Sequence, residues 1–435
     1  TRSHNCRLPC ILHQKRAYTI AGTTQMKIVI INHSDVRGGA SVVSYRLMKA
    51  LRAEGADVKM LVVHKATSDP DVVLAAPQWR ARMPFLQEHL KIFVANGFNR
   101  STLFKISTGS DGLPLECHPL VKEADVVMLN WVNQGMLSLR SIRRMAEAGK
   151  HIIWTMHDMW NLTGVCHHAG RCRHYMQQCG KCRLINKGPE ANDLSHRVWL
   201  KKHELYSHSR IHFVAVSNWL AALARKSTLL NSCDVNVIPN AFPIEDFAGE
   251  VRYSRTDLGL PEGMPLIVMG AARLDDPIKN LPRAISALNL LHDKGVKAHA
   301  VFFGGIRCPQ LLDTIKLPHT YLGTISEAER LRSLMHHAAA VLSSSDYETL
   351  PGTLIEGQAA GAIPVSFGDG GQSDIIDHLS TGYIARSGDC ADLAAGLEWA
   401  VTQPNDPALL LDSVRRRFSA RSVARSYLGL IGRLL

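Results

Sequence analysis

Short apolar runs alternate with amphipathic stretches along the chain from Met26 onward. Between several of the runs lie helical patterns, such as 40–53, in which Val43, Leu47 and Ala50 share one face. Continuous apolar strands separated by helices predict a parallel sheet that helices cover on both faces. The runs in the first half of the chain are Lys27–Asn32, Val58–Val63, Val126–Asn130, His151–His157, Phe213–Ser217 and Val235–Pro239.

The same alternation restarts at Pro265, after a turn-rich segment at 242–265 that is typical of a linker. We therefore predict an α/β fold of two doubly wound, Rossmann-like domains whose strand ends face a shared ligand across a cleft. The predicted domains are 26–250 and 251–415, and a last helix at 416–435 is predicted to pack back on the first domain. The second series of apolar runs comprises Pro265–Ala272, His299–Gly305, 339–345 and 362–367.

The composition indicates a globular protein, because 46% of the 435 residues are hydrophobic and 20% are charged. No apolar run approaches the roughly 18 residues that a membrane-spanning helix needs. Residues 1–25 are basic but have no apolar core, so we interpret them as a disordered leader or a vector-derived remnant, and not as a secretion signal. We expect a soluble, cytoplasmic protein.

The formal net charge of +12 is concentrated in the first half. The chain up to Glu250 carries 32 Lys and Arg against 19 Asp and Glu, whereas the remainder carries 18 against 19. A basic half suggests an anionic partner such as nucleic acid, phosphorylated lipid or the inner face of a membrane, although an ordinary solvated surface explains it equally well. The predicted membrane contacts are Arg140, Arg143, Arg144, Lys150, Arg197, Lys201, Lys202 and Arg210.

Two loops that follow predicted strands carry groups suited to phosphate. Gly38 and Gly39 stand where the first strand turns into a helix, which lets backbone N–H groups approach an anion, although a plain turn has the same sequence. Arg273 and Lys279 follow the first strand of the second domain. A guanidinium fork and an ammonium point charge at this edge suit a diphosphate.

The stretch 343–374 surrounds a predicted helix start with two carboxylates. Pro351 marks the entrance of the helix, and the first-turn N–H groups near Gly352, Thr353 and Leu354 favour a phosphate. Glu348 precedes this helix start and Glu356 follows it. Carboxylates accept hydrogen bonds from vicinal hydroxyls, so the two would flank a phosphate site with groups suited to a sugar and a ribose. This is the layout of a sugar nucleotide.

These motifs, with the segments HDMW, AVSNW and VIPNAF in the same order, resemble the retaining glycosyltransferases of family 4, which have the GT-B fold. The resemblance implies an enzyme of class EC 2.4 with a UDP- or GDP-sugar as donor and a glycan or lipid-linked acceptor on the first domain. It implies that Glu356 binds the ribose, Glu348 the transferred sugar, and Arg273 with Lys279 the diphosphate. His157 would lie beside the transferred sugar. Asp374 departs from the pattern, which more often has Glu there.

The predicted mechanism needs no catalytic metal. The leaving diphosphate accepts the proton of the acceptor on the same face of the sugar, which retains the anomeric configuration. Arg273, Lys279 and the helix N–H groups stabilise the charge that develops on this diphosphate. We therefore expect no cofactor for catalysis.

Four cysteines form a separate cluster with the spacing C-x5-C-x6-C-x2-C, within a predicted insertion at 166–182. In a reducing compartment such a cluster suggests a structural zinc site, and four thiolates would leave no open position for catalysis. Four packed thiols are an equally good interpretation. The residues are Cys166, Cys172, Cys179 and Cys182.

Two other functions compete with sugar transfer. A sugar-nucleotide epimerase could use the same two-domain fold, but it would need a carboxylate base near the anomeric carbon and no acceptor. A nucleic-acid-binding protein built on the cysteine cluster and the basic half would leave the second domain unexplained, and the chain lacks an aromatic-rich RNA-binding signature. We therefore expect no nucleic acid partner.

Overall fold

The computed structural model describes residues 26–185 and 190–435, so the predicted leader at 1–25 lies outside the described residues. Its first sheet is parallel, with the order β3-β2-β1-β4-β5-β6-β7. The strands are β1 (Lys27–Ser34), β2 (Asp57–His64), β3 (Val72–Leu74), β4 (Val126–Leu129), β5 (His151–Met156), β6 (Ile211–Ala215) and β7 (Val235–Val237). The helices are α1 (Gly39–Ala53), α2 (Gln78–Ala95), α3 (Pro119–Glu123), α4 (Leu139–Glu147), α5 (Leu194–His208) and α6 (Asn218–Lys226).

The second sheet is also parallel, with the order β10-β9-β8-β11-β12-β13. Its strands are β8 (Leu266–Arg273), β9 (His299–Gly305), β10 (His319–Tyr321), β11 (Ala338–Ser343), β12 (Ile363–Phe367) and β13 (Tyr383–Ala385). The accompanying helices are α7 (Ile244–Phe247), α8 (Leu281–Asp293), α9 (Ala328–His337), α10 (Gly352–Ala359), α11 (Cys390–Thr402), α12 (Pro407–Phe418) and α13 (Ala420–Leu434).

The predicted pair of doubly wound sheets is confirmed. Both sheets have the Rossmann strand order, in which the direction of winding reverses beside the first strand. The reversal lies between β1 and β4 in one sheet and between β8 and β11 in the other. In open α/β sheets ligands bind at this point, beyond the carboxyl ends of the strands, and the loops named in the sequence analysis begin there.

Three short strands were not predicted: β3, β10 and β13. Each has three residues and lies at the edge of its sheet, where at most one of its three side chains is fully buried. Such strands lack the continuous apolar run that marks a central parallel strand. The predicted linker also contains a helix, α7, because Ile244 and Phe247 are buried against the second domain.

The last helix, α13, crosses back to the first domain and packs along α1. Its buried face includes Tyr427 and Ile431, which share a core with Leu47 and Leu51 of α1. The Tyr427 hydroxyl lies 2.9 Å from the Thr155 hydroxyl at the end of β5. The two domains therefore have packed contacts beside the cleft. Among the described residues, no helix is both long and apolar enough to cross a bilayer.

Candidate functional site

A cavity of about 730 Å³ lies between the two domains. The loops after β1, β4 and β5 form one wall, and those after β8 and β11 form the other. Both points of strand-order reversal therefore open into the same space. The cavity contacts Gly38, Gly39, His157, Lys279, Glu348, Thr353 and Glu356, which brings together most of the predicted site residues.

The start of α1 presents bare backbone to the cavity. Gly38 precedes the helix with φ 88°, a conformation that glycine adopts without strain. No atom lies within 4 Å of the position that a Cβ would take at Gly38 or Gly39. No side chain caps this helix, so its first N–H groups stay available to a ligand.

The start of α10 faces the cavity from the second domain. Pro351 precedes the helix, and no side chain caps it. A Cβ at Gly352 would lie 2.8 Å from the Phe242 ring, so only glycine fits at this position. Thr353 lines the cavity, whereas the Leu354 side chain is buried in the core and only its backbone can serve a ligand. The helix dipole adds partial positive charge at this end.

Lys279 and Glu348 form an ion pair at the cavity wall. The Lys279 ammonium lies 2.7 Å from Glu348 Oε1, and the Ser345 hydroxyl donates to the same oxygen at 2.6 Å. The Glu348 carbonyl accepts from the Gly371 N–H at 2.7 Å. A Cβ at Gly370 would lie 2.5 Å from that carbonyl, so the glycine pair lets the two loops pack closely.

Arg273 lies outside the cavity lining. Its guanidinium donates to Asp276 at 2.9 Å, and its Nε lies 3.5 Å from Asp275. Asp276 itself contacts the cavity. The structure therefore places one predicted diphosphate ligand, Lys279, at the cavity. The other, Arg273, lies outside the cavity and is held by the Asp276 carboxylate.

Glu356 pairs with a residue of the first domain that the sequence did not suggest. Both terminal nitrogens of Arg46, on α1, lie 3.4 Å from Glu356 Oε1. Burial raises the pKa of Glu356, and the charge of Arg46 opposes this shift. The Arg46 guanidinium also lies over the Phe242 ring, 5.6 Å from its centroid. Arg46 and Glu356 thus join the two walls.

His157 follows β5 and lies between the domains. Its Nε2 lies 2.9 Å from Asn130 Oδ1, and its backbone carbonyl accepts from the Thr349 hydroxyl at 3.1 Å. Burial lowers the pKa of His157 to about 4, although the charge of Asp158 opposes this. The ring is therefore neutral at pH 7, and the Nε2 proton directed at Asn130 leaves Nδ1 as an acceptor.

A second group beside His157 was not predicted. Asp158 accepts hydrogen bonds from the Trp131 indole at 3.1 Å and from the Trp160 N–H at 2.8 Å, and it lies 2.7 Å from His167 Nδ1. Burial disfavours the Asp158 carboxylate, but His167 and the Trp160 N–H outweigh it and lower its pKa to about 2. The segment HDMW contains Asp158, but no spacing in the sequence links it to Trp131 or His167.

Asp374 binds the end of a helix in the first domain. Its Oδ1 accepts from the backbone N–H of Asn218 at 2.8 Å, and Trp219 N–H lies 3.4 Å from Oδ2. Asn218 begins α6, so the carboxylate lies at the positive end of that helix. The residue that departs from the family pattern forms a contact between the domains.

The four clustered cysteines are free thiols. Burial raises the pKa of Cys166 to about 12 and that of Cys179 to about 11, so both are protonated at pH 7. Cys179 Sγ accepts from the Gly164 N–H at 3.1 Å. Within 26–185 and 190–435, no three His, Cys, Asp or Glu side chains are placed to hold a metal ion. The structural zinc stays a prediction, and metal analysis of the purified protein tests it.

The prediction that Lys202 contributes to a basic outer surface is wrong, because its side chain is fully buried. Its ammonium donates to the carbonyls of Trp160 at 2.5 Å and Thr163 at 3.0 Å, and it lies 3.4 Å from the centre of the Trp160 ring. Burial lowers the pKa of Lys202 to about 7. A helical position that looks like one more cation in the sequence instead anchors the segment after His157.

Replacing Lys202 by Met should lower the free energy of unfolding by about 2–5 kcal/mol, because two buried carbonyls lose their donor. Urea unfolding of the purified protein measures this change. Lys201→Met is the matched control, since Lys201 is the exposed neighbour on the same helix. Equal stability of the Lys202→Met and Lys201→Met proteins would contradict an anchoring role.

Residues 253–418 match the model of the family described as Glycosyl transferases group 1. A segment of 137 residues is 26% identical to the putative colanic acid biosynthesis glycosyl transferase WcaC of Escherichia coli K12. That alignment covers 30% of this chain and 33% of the relative, so the chain matches about a third of its length. The family match contains Lys279, Glu348 and Glu356.

Solved structures match along almost the whole chain. A glycosyltransferase from Rickettsia africae ESF-5 has a TM-score of 0.64 at 14% identity, over 94% of this chain and 98% of that one. The chain has the GT-B fold. Sucrose-phosphate synthase from Thermosynechococcus elongatus matches at TM-score 0.61 and 16% identity, over 94% and 99% of the two chains. Anabaena Alr3699/HepE in complex with UDP matches this GT-B chain with a TM-score of 0.59 at 14% identity, over 94% of this chain and 100% of that one.

Proposed function

We propose that this GT-B protein is a glycosyltransferase that moves a sugar from a nucleoside-diphosphate donor to a glycan or lipid-linked acceptor. The observation that carries the proposal is the convergence of Lys279, Glu348, Glu356 and the start of α10 on one cavity opposite Gly38 and Gly39. The family match over the second domain supports the reaction class. The name of the E. coli relative supports a place in polysaccharide or glycoconjugate biosynthesis.

The proposed donor is a UDP- or GDP-sugar. Anabaena HepE is described in complex with UDP and with UDP-glucose, and the latter structure matches this chain at TM-score 0.57. We assign the diphosphate to the N–H groups at the start of α10 and to Lys279, because a helix N-terminus and an ammonium both stabilise phosphate oxygens. Glu356 would bind the ribose hydroxyls and Glu348 the transferred sugar.

The charged side chains that we assign to the donor, and Arg46 beside them, already have partners of opposite charge. Lys279 pairs with Glu348, Arg46 with Glu356, and Arg273 with Asp276. Donor binding would therefore replace these ion pairs. The Lys279 ammonium would leave the Glu348 carboxylate for a phosphate, and the carboxylates of Glu348 and Glu356 would accept hydrogen bonds from hydroxyls of the donor. Arg273 would reach the diphosphate only by leaving Asp276.

We propose transfer with retention of the anomeric configuration. The bond between the anomeric carbon and the diphosphate oxygen breaks, the acceptor oxygen bonds to that carbon from the same face, and its proton passes to the leaving diphosphate. Lys279 and the α10 N–H groups stabilise the charge that develops. His157, neutral at pH 7, would accept a hydrogen bond from a sugar hydroxyl through Nδ1. No side chain has to act as a nucleophile.

A panel of nucleotide sugars, each incubated with the protein and a glycan acceptor mixture, tests the proposal. We expect one donor to release its nucleoside diphosphate in step with the appearance of a glycosylated product of retained configuration. Interconversion of the donor sugar without acceptor would instead indicate an epimerase. Absence of turnover with every donor, together with absence of UDP and GDP binding, would overturn the proposal.

Activity should survive an excess of a divalent-metal chelator, because Lys279 and the helix N–H groups supply the positive charge that a metal would otherwise provide. Initial rates with and without EDTA, and a parallel measurement of zinc content, check this expectation. Loss of activity that only Mg²⁺ or Mn²⁺ restores would contradict metal-independent transfer. Loss that zinc restores would point to the cysteine cluster and to folding.

A further inference from the structure

Helix α2 carries a line of large apolar side chains on its outer face. Trp79, Met83, Leu86, Leu90 and Val94 recur at helical spacing, and their exposed fractions range from 42% to 66%. Phe98 and Phe104, in the turns that follow, are 69% and 65% exposed. We call these seven residues the α2 apolar surface. Scattered exposed apolar side chains are ordinary, but a contiguous line of this size marks an interaction site.

The inner face of α2 is firmly attached and less apolar than the outer face. Its buried residues are Ala81, Pro84, Glu88 and Ile92. Glu88 Oε1 accepts from the N–H of Thr108 at 2.6 Å and from that of Gly109 at 3.0 Å. The helix is therefore anchored through a buried carboxylate. Its apolar side faces away from the protein, the reverse of an ordinary surface helix.

The charges around the α2 apolar surface are positive. From Gln78 to Lys105 the chain carries five Lys and Arg, and its acidic residue there, Glu88, is buried. Four of these cations form no ion pair with any residue in the described part of the chain. They are Arg80, Arg82, Arg100 and Lys105. An apolar line with unpaired cations on both sides is the pattern of a helix that lies in the plane of a membrane surface.

A second cavity, of about 280 Å³, lies directly beneath α2. It is lined by Ala81 and Phe85 of the helix and by His33 and His64 at the ends of β1 and β2. The His33 ring contacts Trp131, which lines the cavity between the domains. The space under α2 therefore adjoins the proposed donor site on the side of the first domain.

We propose that the α2 apolar surface inserts shallowly into an anionic lipid bilayer, and that the cavity beneath it admits the head of a lipid-linked acceptor drawn from that bilayer. The proposal deepens the proposed function and rests on it for the acceptor. The contact lies on α2, and not on the basic positions of α4 and α5 that the sequence suggested. On α4, Arg143 and Arg144 already pair with Glu204 and Glu116.

An anionic bilayer explains this surface better than a second copy of the chain does. A two-fold interface would bring the same patch of each copy together and would oppose cations with cations. Anionic headgroups complement the cations instead, because each Lys or Arg near the surface is attracted to them. The bilayer also accounts for the apolar line between them, because shallow insertion buries it without a matching protein surface.

Co-sedimentation with phosphatidylglycerol-containing vesicles and with pure phosphatidylcholine vesicles tests the contact. We expect binding to the anionic vesicles, weakened at high salt, and a loss of at least about tenfold in the triple variant Trp79→Ser/Leu90→Ser/Phe104→Ser. The matched control, Val251→Ser/Leu290→Ser/Leu409→Ser, removes three exposed apolar side chains of the second domain and should bind as the unmodified protein does.

A second pair of variants tests the cations. Arg80→Gln/Arg100→Gln/Lys105→Gln should weaken vesicle binding, whereas Arg140→Gln/Arg197→Gln/Arg210→Gln, with the same change of charge on α4 and around α5, should not. A larger loss of vesicle binding in the Arg140/Arg197/Arg210 variant than in the Arg80/Arg100/Lys105 variant would place the contact on α4 and α5 and overturn the proposal. So would loss of self-association in the apolar triple with vesicle binding unchanged, which would identify a second copy as the occupant.

Donor turnover separates this inference from the proposed function. The apolar triple should transfer sugar to a water-soluble acceptor at the unmodified rate and lose transfer to an acceptor presented in vesicles, since none of its three residues lines either cavity. Vesicle binding without any donor turnover would leave the membrane surface standing and refute the enzyme. Full turnover with no vesicle binding by the unmodified protein would refute the membrane contact and leave the proposed enzyme activity standing.

Discussion

Replacing Lys279 by Met should lower kcat/KM for sugar transfer by about 10²- to 10³-fold, the usual loss when one preorganised group that stabilises developing charge is removed. Lys279 is the cation that lines the cavity beside the start of α10, and in the present structure its ammonium lies 2.7 Å from Glu348. In the proposed reaction it would neutralise the leaving diphosphate. Steady-state kinetics with the identified donor measures the effect.

Two matched variants define the origin of that loss. Lys279→Arg keeps the positive charge and should recover part of the rate. Lys294→Met removes an exposed lysine that pairs with Glu398 far from the cavity, and should leave the rate unchanged. A Lys279→Met protein within about threefold of the unmodified rate would show that Lys279 is not needed to stabilise the leaving diphosphate.

Replacing Glu356 by Gln should weaken binding of the free nucleoside diphosphate by about tenfold or more, equivalent to about 1.4 kcal/mol for each factor of ten. Glu356 is partly buried at the cavity wall, and the variant would lose a charged acceptor for the ribose hydroxyls. The substitution also leaves Arg46 without its partner. Titration calorimetry with UDP and GDP measures the affinity and identifies the base.

Glu348→Gln is the informative companion to Glu356→Gln. It should reduce turnover more than affinity for the free nucleotide, because Glu348 is assigned to the transferred sugar, which the free nucleotide lacks. The double variant Arg46→Met/Glu356→Gln separates the cost of the unpaired arginine from the loss of the ribose contact. If Glu348→Gln lost nucleotide affinity and Glu356→Gln kept it, the two assignments would be reversed.

The two sheets and the loops at their points of reversal could be predicted from the sequence. Central parallel strands are apolar on both faces, so the continuous runs Lys27–Asn32 and Pro265–Ala272 predict the strands β1 and β8. The helix start at Gly352 was likewise visible, because Pro351 and glycine favour that turn. These features depend on residues a few positions apart, and local preference is enough to indicate them.

Contacts between distant residues came only from the tertiary structure. Arg46 and Glu356 are 310 positions apart, and Asp374 and Asn218 are 156 apart. Nothing in the spacing of either pair marks it, because both depend on how the two domains face each other. Arg273 differs from these pairs, because the residue that holds its guanidinium away from the cavity, Asp276, lies only three positions along the chain.

The chain's local pattern thus determined two doubly wound domains and located the loops to which we assign the diphosphate, because burial of strands and capping of helices are set by neighbouring residues. Only the tertiary structure determines which cations are exposed to solvent and which are buried. Lys202 and Arg80 both look like surface charges on amphipathic helices, yet one is fully buried on carbonyls and the other lies exposed beside Trp79. Helical periodicity specifies which residues share a face, and the packing of distant elements decides whether that face meets protein or solvent.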